Sequence, residues 1–149
     1  RFNHILVPAD FSIYFENALN YAKEMSSSIG STLHIVHALE PTIAPTGMTL
    51  SPHAKIVDVE NEIRKHAEKN IEEVKDRLMK ENYPVKTHLE PGPAADVILD
   101  YARENEIDVI CISTKGMSGL EHLLFGSTTE KVLRLAECPV IAIKMPKEK

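Results

Sequence analysis

Small and hydroxyl-bearing residues join an apolar run to a helical run between Ser113 and Thr129, where the sequence reads STKGMSGLEHLLFGSTT. Gly116 and Gly126 are separated by nine residues, and Gly126 precedes STT and the helical run EKVLRLAE. The first turn of a helix offers backbone N–H groups and a partial positive charge, which together attract anions. This segment therefore predicts a phosphate-binding loop at a helix start.

The same residue types also fit roles that need no ligand. Ser127 and Glu130 have the spacing of a helix capping box, in which the serine side chain caps the helix itself. Asp10, in the PADFS segment, and Gly116 are residues that turns commonly contain. The residues alone leave both interpretations open at these positions.

Short apolar runs alternate with longer runs of helical period, which is typical of βαβ units around a parallel sheet. We expect an α/β fold, an open, doubly wound, Rossmann-like five-stranded parallel sheet of order 3-2-1-4-5 with four helices. The predicted strands are His4–Pro8, Leu33–Leu39, Val85–Glu90, Asp108–Ser113 and Val140–Lys144.

Apolar residues at helical spacing predict the inward faces of the helices. The third helix should run from Ala94 to Asn105 after a Pro91-Gly92-Pro93 turn, and the fourth should open at Ser127. The inward residues of the first two are Phe15, Ala18, Leu19, Ala22 and Ile29, then Ile56, Val59, Ile63, Ala67, Ile71, Val74 and Leu78. Between Glu40 and Ala54, three prolines and a glycine predict a loop, either a cover for a ligand or a plain connector.

In a sheet of this order, ligands bind beyond the carboxyl ends of strands 1 and 4, where the strand order reverses. The loop Pro8-Ala9-Asp10-Phe11-Ser12 follows strand 1, and Ser113 to Gly126 follows strand 4. Both loops should open into the same crevice.

The whole chain resembles the universal stress protein family, specifically its nucleotide-binding members. ILVPADFS with ALNYA resembles the family's opening, IVHALEP its second strand, and DVICIS through GSTTEKVLRLAECPVIAIK its closing half. The family's binding signature is Gly, two residues, Gly, nine residues, Gly, then Ser or Thr. Gly116, Gly126 and Ser127 match it, whereas Ser113 occupies the position of the first glycine.

The resemblance implies a site for ATP, or for AMP or ADP, with Mg²⁺. Asp10 would lie near the ribose and any metal, and Ala38 would meet adenine through its backbone. Lys115 would add a positive charge at the mouth of the crevice. The implied nucleotide-binding residues are Pro8, Ala9, Asp10, Ala38, Ile112, Ser113, Lys115, Gly116, Gly126, Ser127 and Thr128.

Composition and charge exclude several classes of protein. The 149 residues fit one domain, and a net charge of −5, from 17 basic and 22 acidic residues, argues against a nucleic-acid surface. No apolar run approaches the roughly 20 residues that span a bilayer, and no leader pattern precedes the first strand. We therefore expect a cytoplasmic protein without a membrane span.

Cysteines and histidines predict no catalytic or metal centre. Cys111 and Cys138 form no CxxC pair and are expected as buried free thiols. His34 and His37 should point to opposite faces of one strand, without a nearby second ligand. The remaining histidines, His4, His53, His66, His88 and His122, are scattered through the sequence.

Three classes of function remain. A nucleotide-binding sensor of stress is the leading hypothesis, and the resemblance implies a homodimer through the last strand, Val140–Lys144. A slow ATPase is the second, ranked lower because Asp10 alone offers a general base. A nucleotide-free dimerisation or scaffold module is the third, favoured by Ser113 in place of glycine.

Overall fold

The computed structural model of the chain describes residues 1–40, 56–116 and 125–146. The predicted loop after Glu40 lies outside the described residues, as do positions 117–124 of the predicted phosphate loop. No helix in the described ranges is long and apolar enough to cross a bilayer.

Five parallel strands form one sheet in the order β3-β2-β1-β4-β5, which confirms the predicted fold class. The predicted element boundaries agree with the structure to within two residues for the strands. The strands are β1 (His4–Pro8), β2 (Thr32–Leu39), β3 (Val85–Pro91), β4 (Val109–Ser113) and β5 (Val140–Ile143). The helices are α1 (Ile13–Ile29), α2 (Ile56–Lys80), α3 (Ala94–Glu104) and α4 (Ser127–Leu135).

Alternate residues of the central strands face two separate apolar clusters, as a sheet covered on both faces requires. One cluster packs beneath α1 and α2 and takes Ile5, Val7, Leu33, Ile35, Val109 and Cys111 from the strands. The other packs beneath α3 and α4 and takes Leu6, Val36, Ile110 and Ile112. This arrangement sends α1 and α4 to opposite faces of the sheet.

Three residues predicted to face inward lie instead near the surface. Ile29, in the last turn of α1, is 40% exposed, and Val59 and Ile63 of α2 are 40% and 38% exposed. The 25 residues of α2 span about 37 Å, whereas the eight of β2 span about 26 Å. The first turns of α2 therefore extend past the sheet, and burial begins at Ala67.

Both cysteines are free, as predicted, but only Cys111 is fully buried. Burial raises the pKa of the Cys111 thiol to about 11. Burial also raises the pKa of the half-buried Cys138 thiol. Since the thiolate is the reactive form, both are poor nucleophiles near neutral pH.

Candidate functional site

The carboxyl ends of β1 and β4 lie side by side at the point where the strand order reverses. Ile5 pairs with Val109 and Leu6 with Ile110, so the two strands run in register toward the same edge. The chain leaves β1 for α1 on one face and leaves β4 for α4 on the other. A crevice at this edge is the expected ligand position in a doubly wound sheet.

The loop after β1 is organised by Ser12, which the sequence analysis did not single out. Ser12 is the N-cap of α1, and its Oγ accepts a 3.2 Å hydrogen bond from the Phe15 amide. The same residue donates to Oδ1 of Asp10 from its amide at 2.9 Å and from its hydroxyl at 2.5 Å. These two bonds fix the orientation of the Asp10 carboxylate.

Asp10 and Gly116 approach each other across the crevice. A Cβ atom placed on Gly116 would lie 3.3 Å from Oδ2 of Asp10, tighter than most contacts of such an atom. Two loops separated by about a hundred residues in sequence therefore meet here, as predicted. A side chain at this position would require the carboxylate to shift by a few tenths of an ångström.

Hydrogen bonds also join the two ends of the connection between β4 and α4. The Gly126 amide donates to the Thr114 carbonyl at 2.9 Å, and the Thr129 hydroxyl donates to the Ser113 carbonyl at 2.7 Å. The Lys115 amide donates to Oγ of Ser113 at 3.2 Å. The start of α4 is thereby tied directly to the end of β4, beside Gly116.

The capping-box interpretation of Ser127 is wrong. Gly126 is the N-cap of α4, in extended conformation and without a side-chain capping bond, and Ser127 is the first helical residue. The predicted opening of the helix at Ser127 is confirmed. Thr129, the buried third residue, bonds to β4, while Ser127 is exposed and Thr128 half-buried. Because the N-cap residue is glycine, it has no side-chain oxygen that could accept hydrogen bonds from the first amides of α4.

The remaining predicted residues lie along the same edge. Pro8 ends β1, and the Ala9 amide donates to the Val36 carbonyl at 2.8 Å, which ties the loop to β2. Ala38 is half-buried near the end of β2, while Ile112, near the end of β4, is 5% exposed. The site residues predicted from the sequence thus lie at strand ends, on the two loops or, for Ser127 and Thr128, in the first turn of α4.

The sequence analysis missed Thr114, Thr129 and His37 in addition to Ser12. An Asp-x-Ser sequence before a helix is a recognisable capping signal, so Ser12 could have been found. Thr129 and His37 carry no such signal, because their partners lie on other elements. Nδ1 of His37 lies 2.6 Å from the Ala9 carbonyl oxygen, and its ring packs on Phe11.

His34 and His37 do face opposite sides of the sheet, as predicted, but His34 is not isolated from other histidines. Its Nε2 lies 3.0 Å from Nδ1 of His4, and its Nδ1 lies 2.8 Å from the Tyr101 hydroxyl. Burial, with smaller effects of His4 and Lys86, lowers the pKa of His34 to about 4. Within residues 1–40, 56–116 and 125–146, no group of three or more His, Cys, Asp or Glu residues is arranged to hold a metal ion.

A cavity of about 210 Å³ lies at the opposite edge of the sheet, between the last turns of α3 and α4. Leu99, Arg103, Glu106, Leu135 and Cys138 are among its lining residues. None of the predicted site residues lines it. It is therefore separate from the crevice between β1 and β4.

The sequence matches one family of known proteins over most of its length. The model of the universal stress protein family matches residues 1–144. The universal stress protein YxiE of Bacillus subtilis is 30% identical over 147 residues, covering 96% of this chain and 99% of that protein.

Solved structures show the same fold at lower identity. The universal stress protein UspA from Lactobacillus plantarum has a TM-score of 0.79 at 24% identity, covering 96% of this chain and 98% of its own. A universal stress protein family protein from Arabidopsis thaliana with AMP bound has a TM-score of 0.69 at 18% identity, covering 97% and 92%.

Proposed function

Because this chain belongs to the universal stress protein family, we propose that it binds an adenine nucleotide and acts as a dimeric sensor in a stress response. The observation that carries the proposal is the meeting of Asp10 with Gly116 next to the start of α4. A carboxylate, a bare glycine and a helix N-terminus form a setting for a ribose and its phosphates.

The phosphates would lie against Gly116, Gly126, Ser127 and Thr128. The first-turn amides of α4 lack intrahelical acceptors and carry the positive end of the helix dipole. Lys115 follows Thr114 at the end of β4 and would add a full positive charge at the crevice mouth.

The nucleoside would lie over the ends of β1, β2 and β4. Asp10 would accept hydrogen bonds from the ribose hydroxyls, and the Ala38 backbone would meet the adenine ring. The nucleoside would also contact four residues at the ends of β1 and β4, namely Pro8, Ala9, Ile112 and Ser113. The AMP bound by the Arabidopsis relative supports this class of ligand.

Asp10 is also the proposed contact for Mg²⁺. Mg²⁺ is commonly held by one or two carboxylates together with substrate phosphates and water, so a single oxygen donor fits it. When bound, Mg²⁺ would neutralise phosphate charge. Asp10 would hold the ion with a carboxylate that two hydrogen bonds from Ser12 keep in one orientation.

Binding, rather than turnover, is the activity proposed. Oδ1 of Asp10 accepts two hydrogen bonds from Ser12, which hold the carboxylate in one orientation and so suit contact with a bound ligand. A bound nucleotide that is not consumed can bias one conformation or partner over another.

A nucleotide-free scaffold is the second candidate, and Ser113 is the observation that favours it. Ser113 stands where the family signature has its first glycine, and its Oγ accepts the Lys115 amide. A side chain at this strand end restricts how closely a ribose approaches the backbone. The two candidates differ in whether the purified protein binds nucleotide.

Calorimetric titration with ATP, ADP and AMP, each with and without Mg²⁺, tests the proposal. Gly126→Val should weaken binding by more than about tenfold, because it fills the space before the helix N-terminus. The fold should tolerate it, since among the described residues a Cβ on Gly126 meets only the Thr114 carbonyl, at 3.9 Å. Gly30→Ala, at the distant C-cap of α1, is the matched control and should leave affinity unchanged.

Absence of heat with the wild type, together with no adenine absorbance in the supernatant of heat-denatured protein, would contradict nucleotide binding. Ser113→Gly then separates the causes. A gain of binding in that variant would assign the loss to the serine and favour the scaffold.

A further inference from the structure

The segment Ala9 to Ser12, which carries Asp10, is fixed from three directions. The Ala9 amide donates to the Val36 carbonyl at 2.8 Å, and Ser12 donates twice to Oδ1 of Asp10. The third contact is also with β2 but is made by a side chain, since Nδ1 of His37 lies 2.6 Å from the Ala9 carbonyl oxygen. His37 is thus the side chain from β2 that reaches this segment.

Phe11, next to Asp10, holds a backbone conformation that its side chain disfavours. Its φ of 62° lies in the left-handed region, which residues other than Gly, Asn and Asp rarely adopt. Such a conformation persists only when surrounding contacts stabilise it. The Phe11 ring packs on His37, with ring centroids 4.7 Å apart, and against the edge of Phe15 at 6.1 Å.

The contact with Ala9 determines which nitrogen of His37 carries hydrogen. A carbonyl oxygen only accepts hydrogen bonds, so Nδ1 must be the donor. His37 is therefore held in a single orientation, with its donor on the backbone before Asp10 and its ring against the residue after it.

We infer that His37 is a positioning residue for Asp10. By fixing the Ala9 carbonyl and the Phe11 ring, it sets the path of the loop that turns Oδ2 of Asp10 toward Gly116. His37 acts through these two residues and needs no contact with a ligand. The effect of His37 on nucleotide affinity rests on the proposed function, whereas its effect on the conformation of the loop does not.

Two substitutions separate the donor from the ring. His37→Asn keeps an amide N–H close to the position of Nδ1 and removes the ring, whereas His37→Phe keeps a ring and removes the donor. His66→Phe, an exposed position on α2, is the matched control for the same change of residue type.

The first measurement is the rate of amide hydrogen exchange in the ligand-free protein, observed by NMR. It is made at Ser12 and Phe15, whose amides form hydrogen bonds within this loop. His37→Phe should speed exchange at both amides by at least about tenfold, and His37→Asn, which keeps the donor but loses the ring contact with Phe11, should speed it less. His66→Phe should stay within about threefold of the wild type. Unchanged exchange in His37→Phe would overturn the inference, whether or not the protein binds nucleotide.

The second measurement is ATP affinity with Mg²⁺ and with chelator, in wild-type and Asp10→Asn backgrounds. His37→Phe should weaken binding in Mg²⁺ by about tenfold, and that effect should vanish once Asp10 is replaced, because the two act as a unit. Equal losses in both backgrounds would show that His37 does not act through Asp10. If the wild type does not bind nucleotide but His37→Phe still speeds amide exchange, the proposed function is contradicted. The role of His37 in the loop then stands.

Discussion

At the scale of single residues, His34 is the buried base whose titration the structure couples to folding. It is 2% exposed and lies between His4 and Tyr101, within hydrogen-bonding distance of both. Lys86 on β3 adds an unfavourable positive charge, and the His88 ring packs on the Tyr101 ring. These surroundings favour the neutral imidazole.

The pKa of His34, lowered from 6.5 to about 4, predicts a loss of stability in acid. Between these two values the unfolded chain binds a proton that the folded chain excludes, so the free energy of unfolding falls as pH falls. Between pH 7 and pH 4.5 the loss from this residue is about 2 kcal/mol.

Urea denaturation at both pH values measures this loss. His34→Asn, which keeps a polar atom near Tyr101 but does not titrate, should be less acid-sensitive than the wild type by that amount. His66→Asn, at an exposed site, should retain the wild-type dependence. Equal acid sensitivity in all three proteins would contradict the assignment to His34.

Residue types before and after the strands were enough to predict which loops meet, but not the bonds between them. Asp10 and Gly116 could be predicted because they follow strands 1 and 4, which lie side by side in the order 3-2-1-4-5, an order expected partly by analogy with other doubly wound sheets. The bond from Thr129 to Ser113 and the contact of His4 with His34 could not. They depend on how a helix and two strands pack, which residue spacing along one element does not specify.

At the scale of elements, the turn between β3 and α3 shows how one glycine sets a helix direction. Gly92 has a φ of 142°, and its amide donates to the Leu39 carbonyl at the end of β2. Pro93 is then the N-cap of α3. This turn brings the start of α3 to the carboxyl edge of the sheet, where the Ala94 amide donates to the Glu40 side chain at 3.1 Å.

Gly92→Ala should destabilise the protein by about 2 kcal/mol or more, because φ near 142° is essentially restricted to glycine. The added Cβ would also lie 3.2 Å from Cγ2 of Val97. Gly30→Ala is the comparison, since its φ of 79° is disfavoured by about 1 kcal/mol but its Cβ would meet no atom of the described residues within 4 Å. Chemical denaturation of both variants measures the difference, and equal losses would contradict the steric part of this prediction.

The spacing of apolar residues and the turn residues between them predicted which segments form helices and which form strands. They did not predict that the first turns of α2 are exposed. Its apolar residues keep helical spacing from Val59 to Leu78, and spacing alone suggests one continuous buried face. Burial depends on where the sheet beneath it ends, and Val59 and Ile63 lie beyond that limit. The period of apolar residues predicts which face of a helix is buried, but not how much of the helix the sheet covers.

At the scale of the whole molecule, β5 is an edge strand whose four residues are all half-buried. The Ile110 amide donates to the Pro139 carbonyl and the Thr114 amide to the Ile143 carbonyl. Because backbone groups alternate in direction along a strand, the amide of Ala142 points away from β4. We propose this outer edge as the dimer contact, with a second copy pairing along it.

Ala142→Pro should convert the proposed dimer to a monomer. Proline removes the outward N–H and is tolerated on edge strands where that group faces away from the sheet. Ala142→Ser keeps the N–H and should remain dimeric. Sedimentation equilibrium of the three proteins measures their masses, and a dimeric proline variant with an intact fold would rule out pairing along this edge.

The central position of β1 also has a consequence for how the chain folds during synthesis. Ile5 pairs with Val109, so one edge of β1 stays without its partner while more than a hundred residues are added. At about 5–20 residues per second, this delay lasts roughly 5 to 20 s. The Asp10 loop can meet Gly116 only after β4 has joined β1, so the crevice forms after β1 has paired with β2 and β2 with β3. A ligand bound there would thus act late in folding and could not guide the earlier assembly of these strands on the ribosome.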